Sequence, residues 1–379
     1  MTKPKVVVAM SGGVDSSVAA ALLKQQGYDV IGMMLRLWSE PGREASNRCC
    51  TPAAMSVARR VAGQLDIPFY AINAQENFHD VVVKSFLDGY ANGGTPNPCL
   101  ACNREIRWDY LLNRALALGA DFMATGHYVR LTRAENEPVR LFEALDSHKD
   151  QSYVLHVLNQ AKLQHALFPL GELTKPEVRA IAAELKLPAA TSKESMDLCF
   201  LAGQDYRDFL QRYQPQLAQP GTILSVGGEA LGEHSGLAHY TIGQRKGLGI
   251  PAARPLYVIA KDTARNQLIV GFEEDLGGSQ LLTEPMHWVS GNAPQHTFDA
   301  EVKIRYSARK AAARVTPQAD GCASIHFTQP MRDITPGQAA VVYVNGEVLG
   351  GGLIASAAVA EDRKLNHPAP ESITLLDMQ

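Results

Sequence analysis

The stretch Val6-Val-Val-Ala-Met-Ser-Gly-Gly-Val-Asp-Ser-Ser17 decides the fold of this chain. Its five apolar residues, Val6 to Met10, predict a buried strand, and Ser16 to Gln26, followed by Gly27, predicts a helix. The turn between them places a helix N-terminus, with unpaired amides and a positive dipole end, directly after a strand. This arrangement predicts a phosphate-binding loop.

The residue types of this loop suit an anion. Gly12 and Gly13 let the backbone approach phosphate oxygens closely. Three residues add hydroxyl donors: Ser11, Ser16 and Ser17. The loop lacks the Lys-Ser/Thr ending of a P-loop and the Gly-x-Gly-x-x-Gly of a dinucleotide fold, so neither class is favoured. Asp15 would repel bare phosphate, so it either holds Mg²⁺ or caps the helix. A glycine-rich turn that only caps a helix is the structural alternative.

Strands and helices alternate outward from this loop, which predicts a doubly wound parallel sheet whose ligands lie beyond the carboxyl ends of the strands. The next predicted elements are a strand Val30–Leu37, a helix Pro52–Leu65, a strand Phe69–Ala74, a helix Phe78–Tyr90, a loop Asn92–Asn103, a helix Trp108–Leu118 and a strand Asp121–Thr125.

The pattern changes around Tyr213-Gln-Pro-Gln-Leu-Ala-Gln-Pro-Gly221, which predicts a linker. Beyond it, short apolar runs between turns predict strands. These runs are Thr222–Val226, Leu256–Ala260, Leu268–Val270, Ala300–Ile304, Ala323–Phe327 and Ala339–Val344. We therefore predict an α/β domain over residues 1–208 and two small β-rich domains over 209–284 and 285–379.

Composition restricts the class of protein. Thirty-six Lys and Arg face 39 Asp and Glu, so the net charge of -3 does not announce a strongly basic nucleic-acid binder. Six cysteines are too few and too dispersed for a disulfide framework, which indicates a reducing compartment. Only five apolar residues follow the N-terminal Met-Thr-Lys-Pro-Lys, too few for a signal peptide, and no apolar run could span a membrane. We expect a cytoplasmic monomer without a membrane partner.

The loop Ser11-Gly-Gly-Val-Asp-Ser16 resembles the PP-loop of N-type ATP pyrophosphatases, which cleave ATP between the α and β phosphates. Further motifs resemble, in the same order over nearly the whole chain, the bacterial tRNA-specific 2-thiouridylase family. They are Thr95-Pro-Asn-Pro98 with Cys102-Asn103, Ala124-Thr-Gly-His-Tyr128, Asp146 with Lys149-Asp-Gln-Ser-Tyr153, Cys199-Phe200, and Tyr240-Thr-Ile-Gly-Gln-Arg-Lys-Gly-Leu-Gly249. The resemblance implies an adenine nucleotide alpha hydrolase-like domain, a C-terminal β-barrel, and ATP-dependent 2-thiolation of the wobble uridine, U34, in the tRNAs for Lys, Glu and Gln.

The implied chemistry needs two thiols. Adenylation turns the 2-oxygen of uridine into a leaving group, a persulfide supplies activated sulfur, and a second thiol resolves the sulfur-sulfur bond or attacks as well. The resemblance assigns Cys102 as the nucleophile and Cys199 as the persulfide carrier, with a transient disulfide between them after turnover. A buried apolar role for Cys199 is the alternative. The implied partners are tRNA, a persulfide donor (a cysteine desulfurase or a relay protein) and a cellular reductant.

Cys99 complicates this assignment, because many family members carry Asp at its position. A Cys-x-x-Cys pair such as Cys99 and Cys102 invites redox or metal chemistry. Together with Cys199 it could hold an iron-sulfur cluster, whereas the adjacent pair Cys49-Cys50 has poor spacing for zinc. We interpret the other cysteines as structural or incidental: Cys49, Cys50 and Cys322.

The resemblance implies ATP with Mg²⁺ at the phosphate loop and at two later strand ends, and it makes Asp15 a catalytic residue. The implied ATP-binding residues are Ala9, Met10, Ser11, Gly12, Gly13, Val14, Asp15, Ser16, Ser17, Leu35 and Gly126. No resident metal site is predicted.

The implied tRNA contacts lie in five segments of the sequence: Asn97, Pro98, Cys99, His127, Lys149, Asp150, Gln151, Arg305, Tyr306 and Gln338. His127 follows a strand end and is expected to titrate near neutrality. Asp150 has a helix-cap alternative before a predicted helix Gln151–Leu158. The stretch Glu301–Arg314 carries five cations and one acid around Tyr306. A basic strand with an aromatic side chain among its cations suits the binding of single-stranded RNA. A strand face that is merely exposed to solvent is the alternative. The loop Gly243–Gly249 has a geometry suited to phosphate.

Two other functions fit parts of the sequence. A PP-loop ligase or amidotransferase would adenylate a small molecule, but it leaves Cys102, Cys199 and the basic stretch without a purpose. A tRNA-binding protein that uses ATP only as a conformational ligand would bind tRNA without releasing AMP.

Overall fold

A computed structural model describes residues 3–43, 51–192 and 198–358 of the chain, so Cys49 and Cys50 lie outside the described residues. The first seven strands are β1 (Lys5–Ala9), β2 (Asp29–Arg36), β3 (Phe69–Asn73), β4 (Phe122–Ala124), β5 (Arg130–Thr132), β6 (Arg140–Phe142) and β7 (Ala166–Leu167). Five of them form a parallel sheet of order β3-β2-β1-β4-β7. The predicted doubly wound parallel sheet is confirmed, and β1 lies at its centre.

Helices connect these strands close to where the sequence predicts them. They are α1 (Val14–Gln25), α2 (Pro52–Gln64), α3 (Gln75–Phe78, π-helical His79–Val83 and Lys84–Ala91), α4 (Pro98–Ala101, π-helical Cys102–Leu111 and Leu112–Ala117), α5 (Ser152–Leu155), α6 (Gln160–Leu163), α7 (Lys175–Glu184) and α8 (Tyr206–Tyr213). Short 3₁₀ turns lie at Cys199–Leu201, Pro215–Leu217, Leu237–His239 and Glu273–Asp275. Among the described residues no helix is both long and apolar enough to cross a membrane.

The predicted loop Asn92–Asn103 is wrong in its second half, because α4 already begins at Pro98. The Asn97 side chain accepts a hydrogen bond from the Cys99 amide at 3.1 Å and caps the helix. Proline is well suited to the first helical position, where its missing N–H has no intrahelical partner to lose. Cys99 and Cys102 are therefore helical residues.

The C-terminal half is built from β8 (Gly221–Ser225), β9 (Ala230–His234), β10 (Tyr257–Asp262), β11 (Gln267–Gly271), β12 (Gly278–Thr283), β13 (His287–Trp288), β14 (Phe298–Lys303), β15 (Ala311–Pro317), β16 (Ala323–Met331), β17 (Ala339–Val344) and β18 (Glu347–Ala358). A four-stranded sheet has the order β10-β11-β8-β9. Strands β12-β16-β15-β14-β17-β18 follow one another, and β12 also pairs with β18, which closes a barrel. The two predicted β-rich parts, the last a barrel, are confirmed as fold class.

The sequence analysis missed how the barrel joins the parallel sheet. The hairpin β5–β6 extends the barrel sheet, because Phe142 pairs with Glu347 and the Glu143 amide donates to the Gly346 carbonyl at 2.9 Å. One apolar cluster contains Val7 of β1 and also Val341 and Tyr343 of β17. The α/β part and the barrel therefore share a hydrophobic core. The domain boundaries at 208 and 284 stay predictions.

Candidate active site at the phosphate loop and the two cysteines

The phosphate loop is shaped by two glycines at the start of α1. Gly12 has φ +76°, and a Cβ there would lie 2.4 Å from the Ala54 carbonyl oxygen of α2. Only glycine fits this close approach. Gly13 occupies the N-cap position of α1 without a side-chain cap, so the first amides of the helix keep their capacity to bind an anion.

Serine hydroxyls stabilise the loop from within. The Ser11 amide donates to Ser16 Oγ at 3.1 Å, and Ser17 Oγ donates to the Gly13 carbonyl at 2.8 Å. Ser17 is completely buried, whereas Ser11 is exposed. Of the three predicted hydroxyl donors, Ser17 therefore holds the loop together and Ser11 faces the solvent.

Asp15 forms the main charged contact of the loop. Lys175 Nζ lies 2.7 and 2.8 Å from its two carboxylate oxygens, and Tyr128 Oη donates to Oδ1 at 2.8 Å. The helix-cap alternative for Asp15 is wrong, because Gly13 is the N-cap residue. Sequence reasoning missed Lys175. One signal could have identified it. Thr174 and Glu177 predict a helix start, and Lys175 places a cation there, where the helix dipole disfavours positive charge.

The strands beside β1 provide the other predicted nucleotide contacts. Leu35 lies near the end of β2, and Gly126 follows β4, so both flank the phosphate loop. A Cβ on Gly126 would lie 2.7 Å from the Ser16 amide nitrogen, so its loop packs directly against α1. The remaining predicted residues lie at the end of β1 and the start of α1: Ala9, Met10 and Val14.

The two predicted sulfur-carrying cysteines lie in one apolar region. Cys102 is buried at the start of the π-helical part of α4, and Cys199 is half-buried at the start of a 3₁₀ turn. Cys199 packs against an apolar cluster that contains Cys102 and also contacts Leu35. Both cysteines are thiols in this structure. The Phe200 ring packs edge-on against other rings of the cluster and fixes the turn.

Cys99 differs from these two cysteines because it is exposed on the first turn of α4. The Asn103 side-chain amide donates to the Cys99 carbonyl at 3.0 Å. Within residues 3–43, 51–192 and 198–358, no three His, Cys, Asp or Glu side chains lie together as metal ligands.

Several predicted RNA contacts meet where the start of α4 contacts the barrel. The Thr95 amide donates to the Pro336 carbonyl at 3.0 Å, and Gln338 Nε2 donates to the Thr95 carbonyl at 2.8 Å. Tyr306 is 44% exposed, and its ring packs edge-on against Tyr153. Partial burial, together with electrostatic interactions with Asp150 and Cys99, raises the pKa of Tyr306. The structure therefore brings Asn97, Pro98, Cys99, Tyr306 and Gln338 into one region.

Asp150 and Gln151 are engaged inside the protein. The Asp150 carboxylate accepts hydrogen bonds from the Ala144 amide at 3.0 Å and from the Ser152 hydroxyl at 2.7 Å. It also accepts from the Ser152 amide, the first of α5, although Gln151 and not Asp150 is the N-cap residue of that helix. Gln151 Oε1 accepts from the Tyr128 amide at 3.0 Å. Lys149 beside them is half-buried.

His127 is buried beside Gly126. Its Nδ1 lies 2.8 Å from Thr125 Oγ1. Burial, with a smaller contribution from the charge of Arg107, lowers the pKa of His127 to about 3. The expectation that His127 titrates near neutrality is wrong, because its imidazole stays neutral at physiological pH.

The basic stretch of residues 301–314 is not a single strand, because residues 304–310 form the connection between β14 and β15. Three of its cations form ion pairs with acids: Lys310 with Glu143 and Glu301, Arg314 with Asp299, and Arg305 with Asp333. Arg309 is exposed and forms no ion pair within the part of the chain that the structure describes. A Cβ on Gly243 would lie 2.1 Å from Asp333 Oδ1, which places the predicted phosphate-type loop next to the barrel.

The arrangement joins two kinds of chemistry. A helix N-terminus can bind the phosphates of a nucleotide at the carboxyl end of β1. An apolar cluster with two thiols reaches the same sheet edge through Leu35.

Comparisons with known proteins identify relatives of the whole chain. Residues 4–203 match a family described as tRNA methyl transferase HUP domain, residues 207–272 a PRC-barrel domain of the same name, and residues 278–354 an aminomethyltransferase beta-barrel domain. Curated relatives named tRNA-specific 2-thiouridylase include one from a Roseiflexus species, 47% identical over 93% of this chain and 99% of the relative. Another is from Magnetococcus marinus, 48% identical over 93% and 100%. A third is from Heliobacterium modesticaldum, 44% identical over 98% and 97%.

Proposed function

Since the chain belongs to the tRNA-specific 2-thiouridylase family, we propose that it catalyses ATP-dependent 2-thiolation of the wobble uridine, U34, in tRNA. It is a tRNA-uridine 2-sulfurtransferase, and its products are 2-thiouridine, AMP and pyrophosphate. The tRNAs for Lys, Glu and Gln are the proposed substrates. The observation that supports this function best is the position of Cys102 and Cys199 against one apolar cluster that reaches the nucleotide edge of the sheet.

The first step activates the base. The 2-oxygen of uridine attacks the α-phosphorus of ATP, the bond to the β-phosphate oxygen breaks, and pyrophosphate leaves. The N-terminal amides of α1 stabilise the charge of the phosphates. Mg²⁺ bound to the substrate ATP would neutralise charge on the pyrophosphate leaving group. The bond that joins C2 to oxygen is then ready to break, because AMP is a far better leaving group than oxide.

The second step transfers sulfur. A donor leaves a persulfide on Cys199, and the terminal sulfur attacks C2 of the adenylated base while AMP departs. The Cys102 thiolate then attacks the Cys199 sulfur, which forms a disulfide and leaves 2-thiouridine. In the other order, Cys102 first attacks the persulfide and releases hydrosulfide, which attacks C2. Both orders leave a Cys102 to Cys199 disulfide, and a cellular reductant restores the two thiols.

The apolar surroundings of the cysteines serve this chemistry. An adenylated uridine would be hydrolysed back to uridine if water reached C2 before sulfur. A cluster of phenylalanine and leucine side chains around Cys102 excludes water from that side. The persulfide on half-buried Cys199 therefore reacts beside an apolar surface.

RNA recognition is proposed for the region where α4 contacts the barrel. Asn97, Pro98 and Cys99 at the start of α4 hold the extruded base, and Tyr306 offers an exposed ring for stacking. The other proposed contacts are His127, Lys149, Asp150, Gln151, Arg305 and Gln338. We propose that the enzyme acts as a cytoplasmic monomer, with a catalytic domain at 1–208, a central domain at 209–284 and an RNA-binding barrel at 285–379. Its sulfur comes from a cysteine desulfurase or a relay protein.

The test is incubation of the protein with unmodified tRNA, ATP and a persulfide donor, followed by mass spectrometry of the anticodon nucleosides. We expect 2-thiouridine at U34 with one AMP for each sulfur. Cys102→Ala and Cys199→Ala should each lower the rate by roughly a hundredfold or more. The matched control is Cys322→Ala, because Cys322 is another thiol of the chain and lies outside the cluster of Cys102 and Cys199. Thiolation that survives either cysteine substitution would contradict the mechanism.

The same preparations distinguish the other candidates. Purification without oxygen, with iron and acid-labile sulfide analysis, tests the iron-sulfur alternative, and full activity without iron ends it. Pyrophosphate exchange driven by a small acid without tRNA would favour a PP-loop ligase. Tight binding of tRNA without AMP release would favour a binding protein.

A further inference from the structure

Asp15 and Lys175 form an ion pair inside the phosphate-binding region. The Lys175 ammonium lies 2.7 and 2.8 Å from the two carboxylate oxygens, and the Tyr128 hydroxyl donates to Oδ1 at 2.8 Å. The Lys175 side chain is 10% exposed and the Asp15 side chain 34%. The three residues come from α7, α1 and the loop after β4, so the pair joins separate elements at one point.

The position of Lys175 is unfavourable for its own helix. Lys175 is the first residue of α7, where the helix dipole repels a cation. The Lys175 amide donates to Asp146 Oδ2 at 2.9 Å, and Thr174 and Glu177 form a capping box, so the helix start is already stabilised without the ammonium. Replacing a largely buried ion pair by apolar residues is often neutral or stabilising. Helix stability therefore does not explain this lysine.

The position of Asp15 is unfavourable for ATP. Asp15 is the second residue of α1, next to the amides that bind phosphate. An unpaired carboxylate there would repel a triphosphate with several negative charges. Lys175 cancels this charge, and its bidentate contact with help from Tyr128 fixes the carboxylate in one direction.

We propose that Lys175 is a positioning residue of the ATP site, which neutralises Asp15 and holds its carboxylate so that the phosphate loop accepts a triphosphate. This inference rests on the ATP-dependent function proposed above. Lys175 acts through Asp15 and not by direct contact with phosphate. Substitution of Lys175 alone should therefore weaken ATP binding more than substitution of Lys175 and Asp15 together.

The test measures binding of Mg²⁺-free ATP to the tRNA-free enzyme by calorimetry. Without Mg²⁺, the loss of a metal ligand in a variant cannot change the measured Kd. Lys175→Met should raise the Kd for ATP by about tenfold or more. Asp15→Asn with Lys175→Met should bind ATP within about threefold of Asp15→Asn alone, because in both variants Lys175 has no carboxylate charge left to neutralise. Lys175→Arg should keep most of the affinity. In steady-state kinetics, Lys175→Met should raise KM for ATP and leave KM for tRNA unchanged.

The matched control is Lys162→Met, because Lys162 is also a mostly buried lysine whose ammonium lies 2.8 Å from a carboxylate, that of Asp109, on another side of the domain. Its Kd for ATP should equal that of the unsubstituted enzyme. Thermal unfolding identifies variants that do not fold. If Lys175→Met fails to fold, the double variant without either charge still tests the proposal against Asp15→Asn.

Two outcomes would overturn the inference. Wild-type ATP affinity in Lys175→Met would show that the charge of Asp15 does not matter. A double variant as weak as the product of the two single effects would show that Lys175 contacts phosphate directly. ATP binding is measured without tRNA, so the two proposals can fail separately. If the variants bind ATP as expected but the enzyme does not thiolate tRNA, only the proposed function is contradicted.

Discussion

At the scale of single residues, the chemistry of this site depends on environments that no sequence pattern displays. His127 follows a strand end and Gly126, which made a titrating RNA contact reasonable. In the fold, the His127 ring is buried beside Thr125 and Phe168, so its proton affinity is far below that of a histidine in water. The sequence could predict that His127 lies at the end of a strand. It could not predict the protonation state of His127, because segments distant in sequence bury the ring.

The buried His127 predicts loss of stability in acid. Its folded-state pKa, about 3, lies below the unfolded value of 6.5, so the unfolded chain takes up the proton first. Stability is therefore complete above pH 6.5 and falls as the pH decreases toward the folded value. Between pH 7 and pH 5 this histidine should cost about 2 kcal/mol of unfolding free energy.

Urea unfolding at the two pH values checks this expectation. His127→Gln should lose about 2 kcal/mol less than the wild type between pH 7 and pH 5, whatever its stability at pH 7. His156, buried with a pKa lowered to about 4, remains in both proteins and contributes equally. The control is His148→Gln, the same substitution at an exposed histidine. An identical loss in His127→Gln and wild type would contradict the burial argument.

Asp15 illustrates the same limit. Its place in the phosphate loop was evident from the local sequence, but its partner Lys175 lies 160 residues away. Only the packing of α7 beside α1 brings the two charges together. No pattern within one segment could have predicted this pair.

At the scale of elements, local sequence signals predicted the first strands and helix accurately but missed two later elements. Strand alternation and Gly27 placed β1, α1 and β2 within one or two residues of their observed ends. The start of α4 was missed because Asn92–Asn103 was predicted to be a loop, although Asn97 and Pro98 are an N-cap and a first-turn residue. The hairpin β5–β6 was missed because its two strands have three residues each.

The contact of the β4 loop with α1 predicts the effect of a single methyl group. In Gly126→Ala the new Cβ would lie 2.7 Å from the Ser16 amide nitrogen and 2.8 Å from the Asp15 carbonyl carbon, both backbone atoms. Backbone cannot move aside as a side chain can, so α1 must shift away from β4. We expect a loss of about 1–3 kcal/mol in stability and a rise of about tenfold in the Kd for ATP.

The control for this prediction is Gly63→Ala near the end of α2. A Cβ there meets no atom within 4 Å, and alanine is favoured over glycine in a helix. Gly63→Ala should therefore be neutral or stabilising by up to about 1 kcal/mol, with unchanged ATP binding. Calorimetric binding and thermal unfolding of both variants provide the measurements. Unchanged ATP affinity in Gly126→Ala would show that the phosphate loop does not depend on this contact.

At the scale of the whole molecule, the net charge and the number of predicted segments do not indicate which charges are exposed or which domains are in contact. The net charge of -3 hides a basic stretch in the barrel, but acids from the barrel and from Glu143 already neutralise most of its cations. The sequence pattern predicted two β-rich parts, and the family resemblance implied the barrel. It could not predict that β17 would pack into the core of the α/β sheet, because that contact depends on both domains being folded.

The shared core predicts how the molecule unfolds. Val341 of β17 is completely buried in the same cluster as Val7, Met33 and Tyr153, whereas Val270 of β11 is completely buried in a separate cluster formed by residues 223–270. Val341→Ala should therefore weaken the barrel and the parallel sheet together, and Val270→Ala the central sheet alone. Each change removes two methyl groups and should cost about 1–3 kcal/mol in its own unit.

Hydrogen exchange followed by mass spectrometry of peptides distinguishes these units. In Val341→Ala, peptides from β1 and β17 should both exchange faster than in the wild type, by about fivefold or more where exchange reports unfolding of the shared core. In Val270→Ala only peptides from β8 to β11 should change. The two variants control for each other, since both delete the same atoms from a fully buried valine. If Val341→Ala accelerates exchange only in the barrel, the barrel and the sheet open independently, and the contact between α4 and the barrel is a docking surface between separately stable bodies.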